Sequence, residues 1–117
     1  MAVDGIEYLY LETRNWGKSV KFWQRLGWKL VLDLGSSGRL EPPGGGPGVF
    51  LEEVSPEAPL AEGVYLRLND SEAPISPPVD LVGTPIASHW GTTLYTIRDP
   101  DGREFVLQYT PDRSETG

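Results

Sequence analysis

Side chains able to do acid–base or binding chemistry are sparse in this sequence, and most fall at alternating positions. Residues 6–12 (IEYLYLE) place Tyr8, Tyr10 and Glu12 two apart, with Leu9 and Leu11 between them. Period-two alternation is the pattern of a β-strand, so the phenols and the carboxylate share one face and the leucines the other. Bulk on both faces implies a core side and a second side that lines something. The arrangement returns at 64–70 (VYLRLND), where Tyr65 and Arg67 alternate with Leu66 and Leu68. At 104–109 (EFVLQY), Glu104, Val106 and Gln108 share one face and Phe105 and Leu107 the other. His89 is the single histidine. It has the chemistry of a general base or metal ligand, but no second histidine supports ligation and a loop position accounts for it. Asp99 and Asp101 resemble paired catalytic carboxylates. They flank Pro100 and precede Gly102, however, and Asp in such a turn bonds its own backbone.

The elements that must position these residues can be read along the chain. After the first strand, Asn15 is a suitable helix N-cap. Trp16, Val20, Trp23 and Leu26, with Phe22 beside them, form a wide apolar stripe at helical spacing. The helix is expected over 16–26, with Lys18, Lys21 and Arg25 on its solvated face and Gly27 as a left-handed stop. Strands are expected at 28–34, around 39–41 and at 49–54. The run 42–48 (PPGGGPG) must be a turn, and it lacks the lysine and following helix of a phosphate-binding loop. The first half therefore reads β-α-β-β-β. The second half begins again at Val64, an internal repeat at half the chain length. Residues 71–82 hold three prolines and no helical period, so the second helix should be shortened or absent. Strands at 92–98 and 104–109, joined by the turn at 99–102, close the chain. The fold class is α+β, one domain over 1–117, with modules at 5–54 and 63–110 and a frayed tail at 111–117.

Composition narrows the function. Ten basic and 17 acidic residues give a net charge of −7, which argues against nucleic acid as a partner. An acidic surface instead attracts cations, small molecules among them. Apolar runs are too short to span a membrane, and residues 1–4 lack the start of a signal peptide. The absence of cysteine excludes disulfides, thiolate metal sites and thiol nucleophiles. A cytoplasmic location is the expectation.

Three local patterns resemble the vicinal-oxygen-chelate superfamily of glyoxalases, bleomycin-resistance proteins and dioxygenases. They are Ser19-Val20-Lys21-Phe22-Trp23 leading to Leu26-Gly27-Trp28, the loop Pro43–Gly48, and Trp90-Gly91 followed by Arg98–Gly102. In this order they cover nearly the whole chain, and the branch they resemble most is the bleomycin-binding type. The resemblance implies two βαβββ modules whose curved mixed sheets surround a cleft, usually with a metal at its centre. The positions that usually ligate fall here on Tyr8, on Phe50 or Glu52, at or next to Gly63, and on Val106. Only Glu52 offers a customary ligand, whereas catalytic zinc or iron needs about three protein donors and an open position. No metal, no cofactor and no catalytic residue is therefore expected. Within the implied cleft the wall should carry Tyr8, Tyr10, Glu12, Glu52, Tyr65, Arg67, Glu104 and Gln108. Trp90 is either a stacking residue, as the resemblance implies, or packing at a turn. Such a wall suits a small aromatic or cationic molecule, including an antibiotic, bound without chemistry. The alternative is a lyase, isomerase or dioxygenase-like enzyme with a rebuilt or absent metal site. The resemblance also implies a homodimer, and a curtailed second helix would leave sheet surface for a partner to cover.

Overall fold

Each parallel strand pair in this chain requires a crossover, because parallel neighbours cannot be joined by a tight turn. The computed structural model, which describes residues 3–69 and 80–111, contains two such pairs and divides the chain into two units. One unit comprises Tyr8–Gly63, and the other Met1–Glu7 with Val64–Gly117. The described elements are β1 (Val3–Thr13), α1 (Trp16–Arg25), β2 (Lys29–Asp33), β3 (Ser37–Glu41), β4 (Gly48–Glu53), β5 (Glu62–Leu68), β6 (Asp80–Ala87), β7 (Thr93–Arg98) and β8 (Glu104–Tyr109). Eight strands and one helix make an α+β fold.

In the first unit the strand order is β2-β3-β4-β1. β1 runs parallel to β4, with Tyr10 beside Phe50 and Glu12 beside Glu52, while β2, β3 and β4 are antiparallel. The crossover is α1, and its ends are specified locally. The Asn15 side chain accepts the Lys18 amide at 2.9 Å, and the Glu53 carboxylate accepts the Trp16 amide at 2.9 Å. A carboxylate there also faces the positive end of the helix dipole. At the other end Trp28 N–H donates to Trp23 C=O and Gly27 N–H to Gln24 C=O. That pairing is a Schellman motif, and it requires the left-handed Gly27 at φ 92°.

Below the helix, Val20, Leu40, Val49 and Leu51 form a closed core, against which Leu11, Trp16, Trp23, Trp28 and Leu30 pack. Each fully buried aliphatic side chain there contributes about 1.5–3 kcal/mol. Three expected core residues fall outside it. Phe22 and Leu26 are 55% and 54% exposed, since the stripe that α1 buries is narrower than its apolar sequence. Leu9 is 43% exposed because α1 packs on β2 and β4 and does not cover that part of β1.

The second unit repeats the order as β1-β5-β8-β7-β6, through the N-terminal end of β1. β5 runs parallel to β8, and β8, β7 and β6 are antiparallel. The internal repeat is therefore a repeat of strand order. β6 was not expected from the sequence. Gly83 (φ 70°) and Pro85 interrupt its alternation, and both fall within a register shift between Val82 and Ile86. An outermost strand tolerates a proline that a central one would not. The expected loss of a helix across residues 71–79 and the frayed tail beyond Pro111 lie outside the described residues.

Candidate binding site

Strand parity puts Tyr8, Tyr10 and Glu12 on the face of β1 opposite Leu11, and the parallel register sets Phe50 and Glu52 beside them. Tyr8 and Phe50 stack with ring centroids 5.3 Å apart and are 2% and 1% exposed. Tyr8 is thus packing beneath the face and not an accessible wall. Tyr10 stacks on the other flank of Phe50 at 6.3 Å and stays half-buried. Its hydroxyl lies 2.7 Å from Glu52 Oε1 and 2.8 Å from Glu12 Oε2. A phenol has one proton to donate, so that proton serves two carboxylates. Burial pushes the Tyr10 phenol far above its usual range, and the bonds to Glu52 and Glu12 push it the same way. The phenol stays neutral and acts as the donor between the two carboxyl groups. Glu12 is fixed further, because its Oε1 accepts the Ala61 amide at 2.9 Å.

The expected residues of the second unit group differently. Tyr65 is 7% exposed, buried much as Tyr8 is. Arg67 donates through Nε to Asp4 Oδ1 at 2.7 Å, and its guanidinium lies across Gly5, where any Cβ would obstruct it. That bond to Asp4 raises the Arg67 pKa. Asn69 also donates to Asp4, at 3.3 Å. Gln108 is 3% exposed, and its Oε1 accepts both the Trp90 indole N–H at 3.0 Å and the Thr92 hydroxyl at 3.1 Å. Ser88 and Thr92 bond through their hydroxyls at 2.7 Å, closing the turn that carries Trp90. Exposed His89 meets Trp90 edge-on at 4.7 Å. Trp90 is accordingly anchored at a turn. Glu104, at the far end of β8, pairs with Arg98 at 3.1 Å on the surface. Asp99 accepts the Asp101 and Arg103 amides, and its bond to the Arg103 side chain holds its carboxyl below the usual range. It is a turn former.

The structure therefore brings Tyr10, Glu12 and Glu52 together and assigns Arg67, Gln108, Trp90 and Glu104 to separate local networks. Asp4, Asn69, Ser88 and Thr92 were not anticipated from the sequence. Only the hydroxyl residues flanking Trp90-Gly91 carry a usable signal, that of a side-chain-closed turn. The positions implied for a metal do not fit one. Tyr8 is stacked under Phe50, Glu52 accepts the hydrogen bond of the Tyr10 hydroxyl, and Gly63 and Val106 have no donor side chain. Among the described residues no three His, Asp or Glu side chains cluster to hold a metal ion.

No protein-family model matches this chain, and no curated protein matches it. Solved structures do. An NAD-dependent benzaldehyde dehydrogenase from Legionella pneumophila is similar at a TM-score of 0.64 and 13% identity, over 88% of this chain and 97% of that one. A glyoxalase/bleomycin resistance protein/dioxygenase superfamily member from Vibrio splendidus 12B01 is similar at 0.50 and 19%, over 87% and 96%. At such identities the likeness is one of fold. The fold is that of the glyoxalase/bleomycin-resistance/dioxygenase type, and nothing singles out the bleomycin-binding branch. The two descriptions name different chemistries, so the fold does not choose an activity. No described helix is long and apolar enough to cross a membrane.

Proposed function

We propose that this chain binds a small cationic or cation-bearing aromatic compound, antibiotics among them, and sequesters it stoichiometrically without a metal. The observation that carries this reading is the pair of carboxylates, Glu12 and Glu52, converging on the single phenol proton of Tyr10. Two carboxyl groups and one phenol thus gather acceptor oxygens at one point of a half-buried face. Such a gathering of oxygens attracts a cation, and the attraction is strengthened wherever water is displaced. The π-face of Tyr10 offers a second, weaker attraction to the same ligand. The donor set gives no support to metal-dependent lyase, isomerase or dioxygenase chemistry.

Calorimetric titration with planar cationic compounds and their neutral isosteres tests the proposal. The cations should bind more tightly, and Glu52→Gln should weaken them about tenfold, the equivalent of roughly 1.4 kcal/mol. Equal affinity for cation and isostere, or no binding of either at high micromolar concentration, defeats it. Near-stoichiometric zinc, nickel, manganese or iron in the purified protein would also overturn the metal-free part.

A further inference from the structure

Most arginines of the described residues spend their donors close by. Arg14 bonds two backbone carbonyls, and Arg67, Arg98 and Arg103 each bond a carboxylate at 2.7–3.1 Å. Arg25 stands in solvent on α1. Arg39, on β3, does neither. Among the described residues it makes no hydrogen bond, and its ion pair with Glu41 spans 3.7 Å, too long to count as one. Its Nε–H is closed off from solvent with no acceptor, although the side chain as a whole is 38% exposed. A guanidinium carries five donors and keeps its charge. A donor shut away from water without an acceptor is unfavourable, and an oxygen brought to the guanidinium fork relieves it.

The strand register fixes what Arg39 accompanies. It lies opposite Phe50 on β4, which lies beside Tyr10 on β1. Cross-strand partners share a face, so Arg39 is on the same face as Tyr10, Glu12 and Glu52. Glu52 lies opposite Ser37, two residues from Arg39 in one direction, and Glu41 lies two residues from it in the other. The ion pair therefore draws Arg39 away from the oxygen cluster. Lys29, also exposed, is the cross-strand neighbour of Glu41, so two cations meet one carboxylate at that corner. The face thus gathers acceptor oxygens at one corner and unsatisfied cationic donors at the other. Diagonal neighbours such as Glu52 and Arg39 have backbones about 7–8 Å apart.

We infer that the compound held on this face is a zwitterion, with its ammonium at Tyr10, Glu12 and Glu52 and its carboxylate at Arg39. The inference rests on the cation-binding reading above and adds a second charge to the ligand. A purely cationic compound uses the first corner and is repelled by the second. A carboxylate at its far end turns that repulsion into charge-assisted hydrogen bonds, and its planar pair of oxygens matches the guanidinium fork.

Calorimetric titration with 4-(aminomethyl)benzoate and its biphenyl homologue tests this, each beside two isosteres. The carboxamide keeps only the cation, and the hydroxymethyl acid keeps only the anion. At least one zwitterion should bind about tenfold more tightly than its carboxamide. Arg39→Met keeps an unbranched stem without the charge, and should bring the two to within about twofold of each other while the carboxamide still binds. That ratio is read within one protein, so a loss of folded material would not move it. Carboxamides that bind as tightly as the zwitterions, or a preference that survives Arg39→Met, overturn this inference and leave the cation reading standing. Carboxamides that fail to bind, or hydroxymethyl acids that bind as tightly as the zwitterions, overturn the cation reading and this inference with it.

Discussion

In the unit built from residues 8–63, the parallel pair β1/β4 presents Tyr10, Glu12, Phe50 and Glu52 on one face. In the other unit the corresponding pair β5/β8 presents Tyr65, Arg67, Val106 and Gln108. Strand order and register parity are the same, while the chemistry is not. The first set resolves its polarity within itself, through one phenol between two carboxylates. The second disperses it, with Arg67 turned to Asp4 and Gln108 turned to Trp90 and Thr92. A duplicated backbone thus fixes where side chains point and leaves open whether they meet one another or a neighbour. On the first face the phenol and both carboxyl groups are directed at a common point.

The sharpest way to break that comparison is through the glycines. A Cβ on Gly48 would collide with the Leu40 carbonyl of the adjacent strand, whereas one on Gly102 meets nothing within 4 Å. Gly48→Ala should cost about 3 kcal/mol or more through forced backbone movement. Gly102→Ala carries only the strain of its φ of 84°, about 1 kcal/mol. Urea midpoints at constant slope would check both, and equal losses would remove the asymmetry.

A smaller effect is expected at the buried amide. Gln108→Leu removes the acceptor used by both Trp90 and Thr92 in a site only 3% exposed. The expected loss is about 2 kcal/mol, accompanied by a change in tryptophan fluorescence. An unchanged emission spectrum would show that Trp90 does not depend on Gln108.

The smallest effect belongs to Tyr10→Phe, about 1 kcal/mol near neutrality. Its signature is in the pH profile. The folded state holds the phenol proton well above the unfolded value of 10.0. The wild-type contribution is therefore complete below about pH 10 and lost as pH rises beyond it. The variant should have the flatter alkaline limb, and parallel limbs would contradict the shared proton.

Much of this was legible in the sequence because alternation is a direct record of strand faces. Tyr8, Tyr10 and Glu12 fall opposite Leu11 as their spacing requires. Asn15 and Gly27 mark the two ends of α1, and Asp99 and Gly102 form the last turn, each for a local reason. Other features depend on what packs where. Tyr8 and Leu9 look like wall and core in sequence, yet Tyr8 is buried and Leu9 exposed, because depth follows the position of Phe50 and α1. β6 was hidden by its glycine and proline. The convergence of Glu12 and Glu52, 40 residues apart, is set by the β1/β4 register, which spacing alone does not encode.

Both strands that end the two strand orders, β2 and β6, carry a register irregularity. An outer strand with a regular ladder of free amides and carbonyls invites extension by any passing chain. Here the shift between Leu30 and Leu32 disrupts one rim, and the Gly83–Pro85 kink disrupts the other while removing an N–H altogether. A β-rich acidic protein built this way gives aggregating chains little to template on. Straightening β6 by replacing Gly83 and Pro85 would trade that protection for a more regular hairpin.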